Sequence, residues 1–391
     1  MGDGARDPRH SSRFGMAPEL GAVLLGGIAV TQIVAMPLLV PIIAGAFQVD
    51  AAAAGLIGLA NLLGTAVGSL FVTIFLPKLR PRTTAIYAAL FACASQIGVG
   101  AVPNFTGAVL LEALAGAGAG VLLALSAAIV GESKNSERGF GFILALQALV
   151  AVFVLLVLPE VSSAASLMPV ALFLTALQLL LLPASFLLAD QDSRSVPQLA
   201  TKVAGRIPST VWLYAVAFFS FSVAVGVIWV FSGILGGLAG IDVNKIGHAL
   251  AVGNIAAIVG SLIAAATTTR FGRLLPLFSV SVILMAGVSL FSPGMTLSVF
   301  YLASNLYLFA WGGGLPYFMG AVAEDDSSGR VTAVLPVISF AGMGVGPMLV
   351  PVFPTANLFS QVLGTTLMAG IIAIIVSLIA RILQRKRMGT A

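Results

Sequence analysis

One carboxylate stands where water is scarce. Glu112 lies inside the apolar stretch FTGAVLLEALAGAGAGVLLALSAAIV and is the one charged residue that falls well away from the ends of such a stretch. A charge at the centre of a membrane helix costs roughly 2.5–3.5 kcal/mol on insertion scales, so a residue of this kind is a functional candidate by default. A carboxyl there can hold a proton, pair with a cation, or exchange one for the other, which is coupling chemistry. The competing reading is structural, a neutral Glu112 hydrogen-bonded to a neighbouring helix. Gly116, Ala119 and Gly120 follow at helical spacing. They make a narrow stripe suited to a cavity wall or a close helix crossing.

Aromatic residues form the second candidate group. Trp212, Trp229 and Trp311 are the three tryptophans, and Tyr214, Tyr301, Tyr307 and Tyr317 are four of the five tyrosines; all fall in the stretches 210–236 and 296–322. Trp212, Tyr214 and Tyr317 lie near stretch ends, where interface anchors are common. Trp229, Tyr301, Tyr307 and Trp311 lie deeper. Ser304 and Trp311 are seven residues apart and share a helix face, as do Ser222 and Trp229. A carboxylate facing such rings suits an organic cation or a flat apolar solute. Interhelical packing is the alternative for each ring. Thr31, Gln32, Asn61, Gln147, Asn254 and Asn305 are neutral polar residues in apolar stretches. Each is a candidate lining residue or interhelical glue, and Gln32 and Asn305 are the two preferred as lining. No Lys or Arg lies inside a stretch away from its ends, which disfavours a small anion as the bound species.

These residues are positioned by elements that only a bilayer can solvate. Hydrophobic residues make up 59% of the 391 and charged residues 8%, against roughly 25% charged in soluble domains; the mean hydropathy is +1.09. Twelve apolar runs are near the ~20 residues that cross a membrane. As spans 1 to 12 they are 20–46, 52–76, 83–102, 105–130, 139–159, 166–189, 210–236, 245–268, 275–292, 296–322, 331–353 and 359–382. Of the 19 Lys and Arg residues, 18 fall on one side of this alternation and only Lys245 on the other. Basic residues stay cytoplasmic, so both termini are expected in the cytoplasm and the chain in the inner (cytoplasmic) cell membrane. The net charge of +5 is thus a topology signal and not a nucleic-acid footprint. Span 1 is too long for a signal peptide and is expected to be retained. Pro37 and Pro41 are expected to kink it.

The longest internal polar segment, 190–209, divides the spans six and six. Shifting the sequence on itself by 192 residues brings Asp50 onto Asp242, Gly68-Ser69-Leu70 onto Gly260-Ser261-Leu262, Gly120 onto Gly312, Glu132 onto Glu324 and Arg138 onto Arg330. Charge is scarce here, so the charged matches carry weight. The expected architecture is an all-α membrane protein of 12 transmembrane helices in two six-helix pseudo-symmetric bundles. The expected divisions are 1–19 (cytoplasmic segment), 20–189 (first bundle), 190–209 (central cytoplasmic loop), 210–382 (second bundle) and 383–391 (basic tail).

Residues 270–273, RFGR, and the basic cluster 77–82, PKLRPR, sit where the major facilitator superfamily carries the end of its G-x-L-a-D-R-x-G-R-R signature. GESKNSERG (131–139) and AEDDSSGR (323–330) resemble that family's acidic-then-RG loops, and EALAGAGAG (112–120) resembles its glycine-rich helix 4, with Glu112 near the family's Arg. The chain therefore resembles that superfamily over essentially its whole length. It departs in lacking the signature Asp, with Pro77 and Thr269 at the aligned positions, and in carrying Gly342-Met343-Gly344-Val345-Gly346-Pro347 on span 11 where drug antiporters carry a G-x-x-x-G-P pattern on helix 5.

The resemblance implies that spans 4, 7 and 10 line a central cavity and that rocking of the halves moves the solute. The expected substrate-binding or coupling residues are Glu112, Gln32, Trp229, Tyr301, Ser304, Asn305, Tyr307 and Trp311. The expected cytoplasmic gate is Lys78, Arg80, Arg82, Glu132, Arg138, Arg270, Arg273, Glu324 and Arg330, with Glu132 and Glu324 replacing the missing Asp. The expected function is proton-coupled export of a lipophilic or cationic compound; the alternatives are uptake or facilitated diffusion of a neutral or aromatic metabolite, and a non-transporting receptor or scaffold. Partners are then a small organic molecule, protons and the lipid bilayer, with no nucleic acid and a monomeric chain. No phosphate-binding loop, metal cluster or catalytic triad is recognisable, so neither cofactor, metal nor enzyme activity is expected.

Overall fold

The computed structural model describes residues 16–131, 133, 136–162, 166–189, 207–267, 270–326, 329–352 and 357–389. They are helical almost throughout, and no strand element occurs among them. Lipid offers the backbone no hydrogen-bond partners, so each crossing segment must satisfy its own N–H and C=O groups as a helix. Among the described residues, eleven helices are long and apolar enough to cross: Ala17–Phe47, Ala53–Lys78, Pro81–Ala101, Phe105–Gly131, Arg138–Val161, Met168–Phe186, Ser209–Leu238, Val243–Thr267, Leu297–Asp325, Leu335–Val352 and Leu358–Lys386. These are spans 1 to 8 and 10 to 12. Span 9 is the shorter apolar helix Leu274–Ser289. Large apolar side chains point outward, with Leu149 67% and Leu262 63% exposed, as lipid-facing positions must be.

Span 1 is interrupted at Ala29-Val30, beside Gly26-Gly27, whereas the helix Thr31–Phe47 runs on through both Pro37 and Pro41. Span 6 breaks at Leu180 into Met168–Leu179 and Leu181–Phe186; Pro183 lacks the N–H that would bond the Leu179 carbonyl. Span 12 continues as helix into the basic tail.

The internal repeat holds at the level of single atoms. Ser69 Oγ donates to the Gly120 carbonyl at 3.1 Å, and its counterpart Ser261 Oγ donates to the Gly312 carbonyl at 2.8 Å. A Cβ on Gly120 would run into the Thr65 carbonyl and one on Gly312 into that of Ala257, again counterparts at 192. Spans 2 and 4 thus cross as spans 8 and 10 do, backbone against backbone, which only glycine permits. The matched Asp50 and Asp242 prove to be capping residues: Asp50 Oδ1 accepts from the Ala53 N–H at 2.7 Å and Asp242 Oδ1 from the Asn244 N–H at 3.0 Å.

The two halves meet towards the end opposite the chain termini, here the loop end. Span 8 lies against span 5 where Gly247 faces the Leu155 carbonyl and Pro159. Span 2 lies against span 7 at Gly58 and Val230, and against span 11 where Gly344 faces Leu62 and Leu63. Span 1 meets span 7 at Pro37 and Gly233. Towards the terminus end, Gly141, Phe142, Leu144 and Ala145 of span 5 are all exposed, as are Ile258, Val259, Leu262, Ile263, Ala265 and Ala266 of span 8. At 100° per residue these positions span an arc of about 160° on each helix, the width of a lipid-facing side.

Candidate functional site

Glu112 is the eighth residue of the helix Phe105–Gly131, about 10 Å from its loop-end start at 1.5 Å per residue. It is fully buried. Asn61 of span 2 donates from Nδ2 to Glu112 Oε2 at 2.9 Å and to the Glu112 carbonyl at 3.3 Å. The glycine crossing that follows one turn on, where Gly116 lies on the Asn61 carbonyl, brings the two side chains together. Glu112 Oε1 and Asn61 Oδ1 are buried with no hydrogen-bond partner. Two acceptors left open in one place can take a single shared proton, because a neutral carboxylic acid donates where a carboxylate only accepts.

A second buried pair bridges spans 1 and 3. Gln32 Nε2 donates to Gln96 Oε1, and both side chains are fully buried. Gln32 Oε1 and Gln96 Nε2 are the unpartnered atoms of that pair. Gly98 packs on Leu111 and Gly118 on Ala92 along the antiparallel spans 3 and 4, which sets Gln96 level with Glu112. Four spans of the first half therefore each bring one amide or carboxyl to the same depth. Gln96 was not among the residues singled out from sequence; as an amide inside a span, at Glu112's depth, it carried the signal that could have found it.

The aromatic group assembles elsewhere. Trp229 and Trp311 stack with ring centroids 6.5 Å apart and planes inclined by 23°. Trp311 is the middle residue of the helix Leu297–Asp325 and keeps part of its surface open, whereas Trp229 is buried. Trp229 Nε1 donates to the Ile33 carbonyl of span 1 at 2.8 Å, across the junction of the halves. The pair therefore stands near mid-membrane where spans 1, 7 and 10 meet. Among the described residues, no hydrogen bond or ring contact joins it to Glu112, whose carboxyl is held by Asn61 of span 2.

The remaining candidates divide. Ser304 is buried with an unpartnered Oγ; its carbonyl faces Gly253 of span 8, the position that Asn61 occupies in the first half. Asn305 donates back to the Tyr301 carbonyl at 2.8 Å, within its own helix, and both residues are partly exposed. Tyr307 is fully buried inside the second half with its ring 6.3 Å from that of Phe291, so it packs there and does not join the tryptophan pair.

The basic residues gather at the terminus end. Arg273 Nε lies 2.5 Å from Glu324 Oε2, joining spans 9 and 10 of one half. Arg82 sits over the Phe186 ring at 5.2 Å and Arg138 over Phe142 at 5.3 Å. Lys78 closes the short 3-10 turn Leu76–Lys78, and Arg80 precedes the helix Pro81–Ala101. Arg270 stands in the turn before span 9 and Arg330 opens the short helix Arg330–Ala333. Glu132 lies outside the described residues. A network that the sequence did not disclose ties the same end of the second half. Thr210 donates to Asp325 Oδ2 at 2.7 Å, Gln384 Nε2 to Asp325 Oδ1 at 3.0 Å, and Arg381 to Gln384 Oε1 at 2.6 Å. Tyr214 is buried and reaches Gln384 at 3.4 Å, so it is part of this network and not an interface anchor.

Comparison with known proteins supplies the family and the fold. The family model of the Major Facilitator Superfamily matches residues 22–347. No curated protein matches the chain by sequence. Among solved structures, the D323A mutant of the nucleoside transporter NupG superposes with a TM-score of 0.74 at 11% identity, covering 93% of this chain and 98% of that one. A bacterial homologue of the human lysosomal transporter Spinster, in an inward-facing and unoccupied conformation, gives 0.63 at 13% identity over 93% and 94%. At such identities the likeness is one of fold.

Proposed function

Because this chain belongs to the major facilitator superfamily, we propose that it is an alternating-access carrier for a small, flat, uncharged organic solute, with protons as the coupling ion. The observation that carries the solute class is the Trp229–Trp311 stack at the meeting point of three spans, with Trp311 partly exposed. A ring offers dispersion and quadrupole contacts to another ring without any charge. The absence of Lys and Arg from the middle of the spans agrees with this reading, and the nucleoside transporter among the similar folds moves a solute of that shape. Rocking of 20–189 against 210–382 would carry the solute past the stack. With both termini cytoplasmic, the loop end, where the halves meet, would face outward.

Proton coupling is assigned to Glu112. Its buried carboxyl, held by Asn61 and left with one open oxygen, can be neutral in one state of the cycle and charged in another. Export of a lipophilic cation is the second reading, favoured by that same open oxygen. It requires Glu112 to meet the solute directly, whereas Glu112 is fully buried and bonded to Asn61.

A thermal-shift screen of the purified protein separates the two, since a ligand that binds the folded state raises its melting temperature by mass action. Nucleosides and nucleobases are expected to stabilise the parent and Glu112→Gln alike and to fail on Trp311→Ala. Stabilisation by organic cations that disappears in Glu112→Gln would give the export reading first place.

A further inference from the structure

We infer that Trp229 and Gly233 of span 7 form a latch with two carbonyls of span 1, those of Ile33 and Pro37, and that this latch holds the loop end shut. The inference rests on the alternating-access reading but not on any particular solute.

It begins with covalent chemistry. In an α-helix the carbonyl of residue i accepts from the N–H of residue i+4. Proline has no N–H. Pro37 therefore withholds the donor for the Ile33 carbonyl, and Pro41 withholds the donor for the Pro37 carbonyl. The helix Thr31–Phe47 nevertheless continues through both, leaving two acceptors one turn apart in a buried place. An acceptor without a donor is costly there.

Span 7 packs against both and supplies a donor to the first. The Ile33 carbonyl receives the Trp229 indole N–H at 2.8 Å. The Pro37 carbonyl lies directly on the Cα of Gly233, so close that any Cβ would overlap it. Trp229 and Gly233 are also one turn apart, so P-x-x-x-P on one helix is in register with W-x-x-x-G on the other. At the repeat offset of 192 residues, Pro37 and Pro41 are the counterparts of Trp229 and Gly233. The same two positions of the ancestral helix have thus diverged, one copy into acceptors and the other into a donor and a gap. Both partners belong to opposite halves, so separation of the loop end must break the contact and expose the carbonyls to water or solute. The prolines that the sequence offers as kinks are, on this geometry, the source of the lock.

The test reads distance, with no solute present. Gly45 and Gly237 lie near the loop ends of spans 1 and 7, exposed and with open space around them. Cysteines at both positions in a Cys93→Ser background take nitroxide labels for electron-resonance distance measurement. The parent is expected to show mostly the short, closed distance. Trp229→Phe keeps a ring on Trp311 but removes the N–H, and is expected to raise the ratio of long to short distances roughly fivefold, the worth of one net hydrogen bond. Pro37→Ala gives Ile33 a donor from its own helix, so in that background Trp229→Phe should add less than about twofold. Gly233→Ala, which leaves the indole intact, should favour the long distance in both backgrounds. An equal shift by Trp229→Phe with and without Pro37, or no shift from either span 7 variant, would overturn the latch. Because no solute enters the measurement, a failed ligand screen and a failed latch are distinguishable.

Discussion

At the scale of single residues, Glu112 and Trp311 carry separable predictions. Glu112→Gln keeps the side-chain shape and offers Asn61 a carbonyl oxygen in place of Oε2, so folding should survive. Uptake into vesicles driven by a proton gradient should fall by at least tenfold, while exchange of labelled for unlabelled solute should continue, because only the titrating group has gone. Trp311→Ala should do the reverse, with solute affinity lost in the thermal-shift assay and the melting temperature of the free protein little changed, since that ring is already partly open. Glu112 was legible from sequence alone because charge inside a span is rare. Its partner was not. Asn61 and Glu112 are 51 residues apart, and only the parallel crossing of spans 2 and 4 shows that this amide, among several in the chain, meets the carboxyl.

At the scale of elements, glycine decides how closely the helices approach. Gly120 and Gly312 sit on the backbone carbonyls of Thr65 and Ala257. Gly120→Ala and Gly312→Ala should each destabilise by about 1–3 kcal/mol, the usual cost of overpacking, and by similar amounts because the sites are repeat counterparts. Chemical or thermal unfolding in detergent measures both. Gly131→Ala is the control, with open space around it, and should change stability little. The existence of the spans was readable from hydropathy. The breaks at Ala29-Val30 and Leu180 were not, because hydropathy is averaged along a span and does not register where its hydrogen-bond ladder is interrupted.

At the scale of the whole molecule, the halves touch at the loop end, and the basic clusters stand at the other. The Arg273–Glu324 pair joins two spans of the same half, with side chains 19% and 42% exposed. Exposed ion pairs are worth about 0.2–1 kcal/mol. Arg273→Ala should therefore shift the melting temperature only slightly, and a larger effect on the labelled Gly45–Gly237 distance than on stability would give that residue a role in gating. The Asp325 network ties the start of span 7 to the ends of spans 10 and 12 in the same half. Asp325→Asn should loosen that half without separating the two.

The sequence by itself determined the solvent, the span count near twelve, the duplication at 192 residues and the resemblance to the family that the comparison shows. These follow from composition, periodicity and scarce charges, all local or additive along the chain. Tertiary structure decided which polar residues meet. It put Gln32 with Gln96, Glu112 with Asn61, and Trp229 with both Trp311 and a span 1 carbonyl, while Tyr307 went to the interior of its own half. Those pairings depend on the rotation and depth of helices far apart in the chain, which close glycine contacts fix and which a hydropathy pattern, blind to both, leaves open.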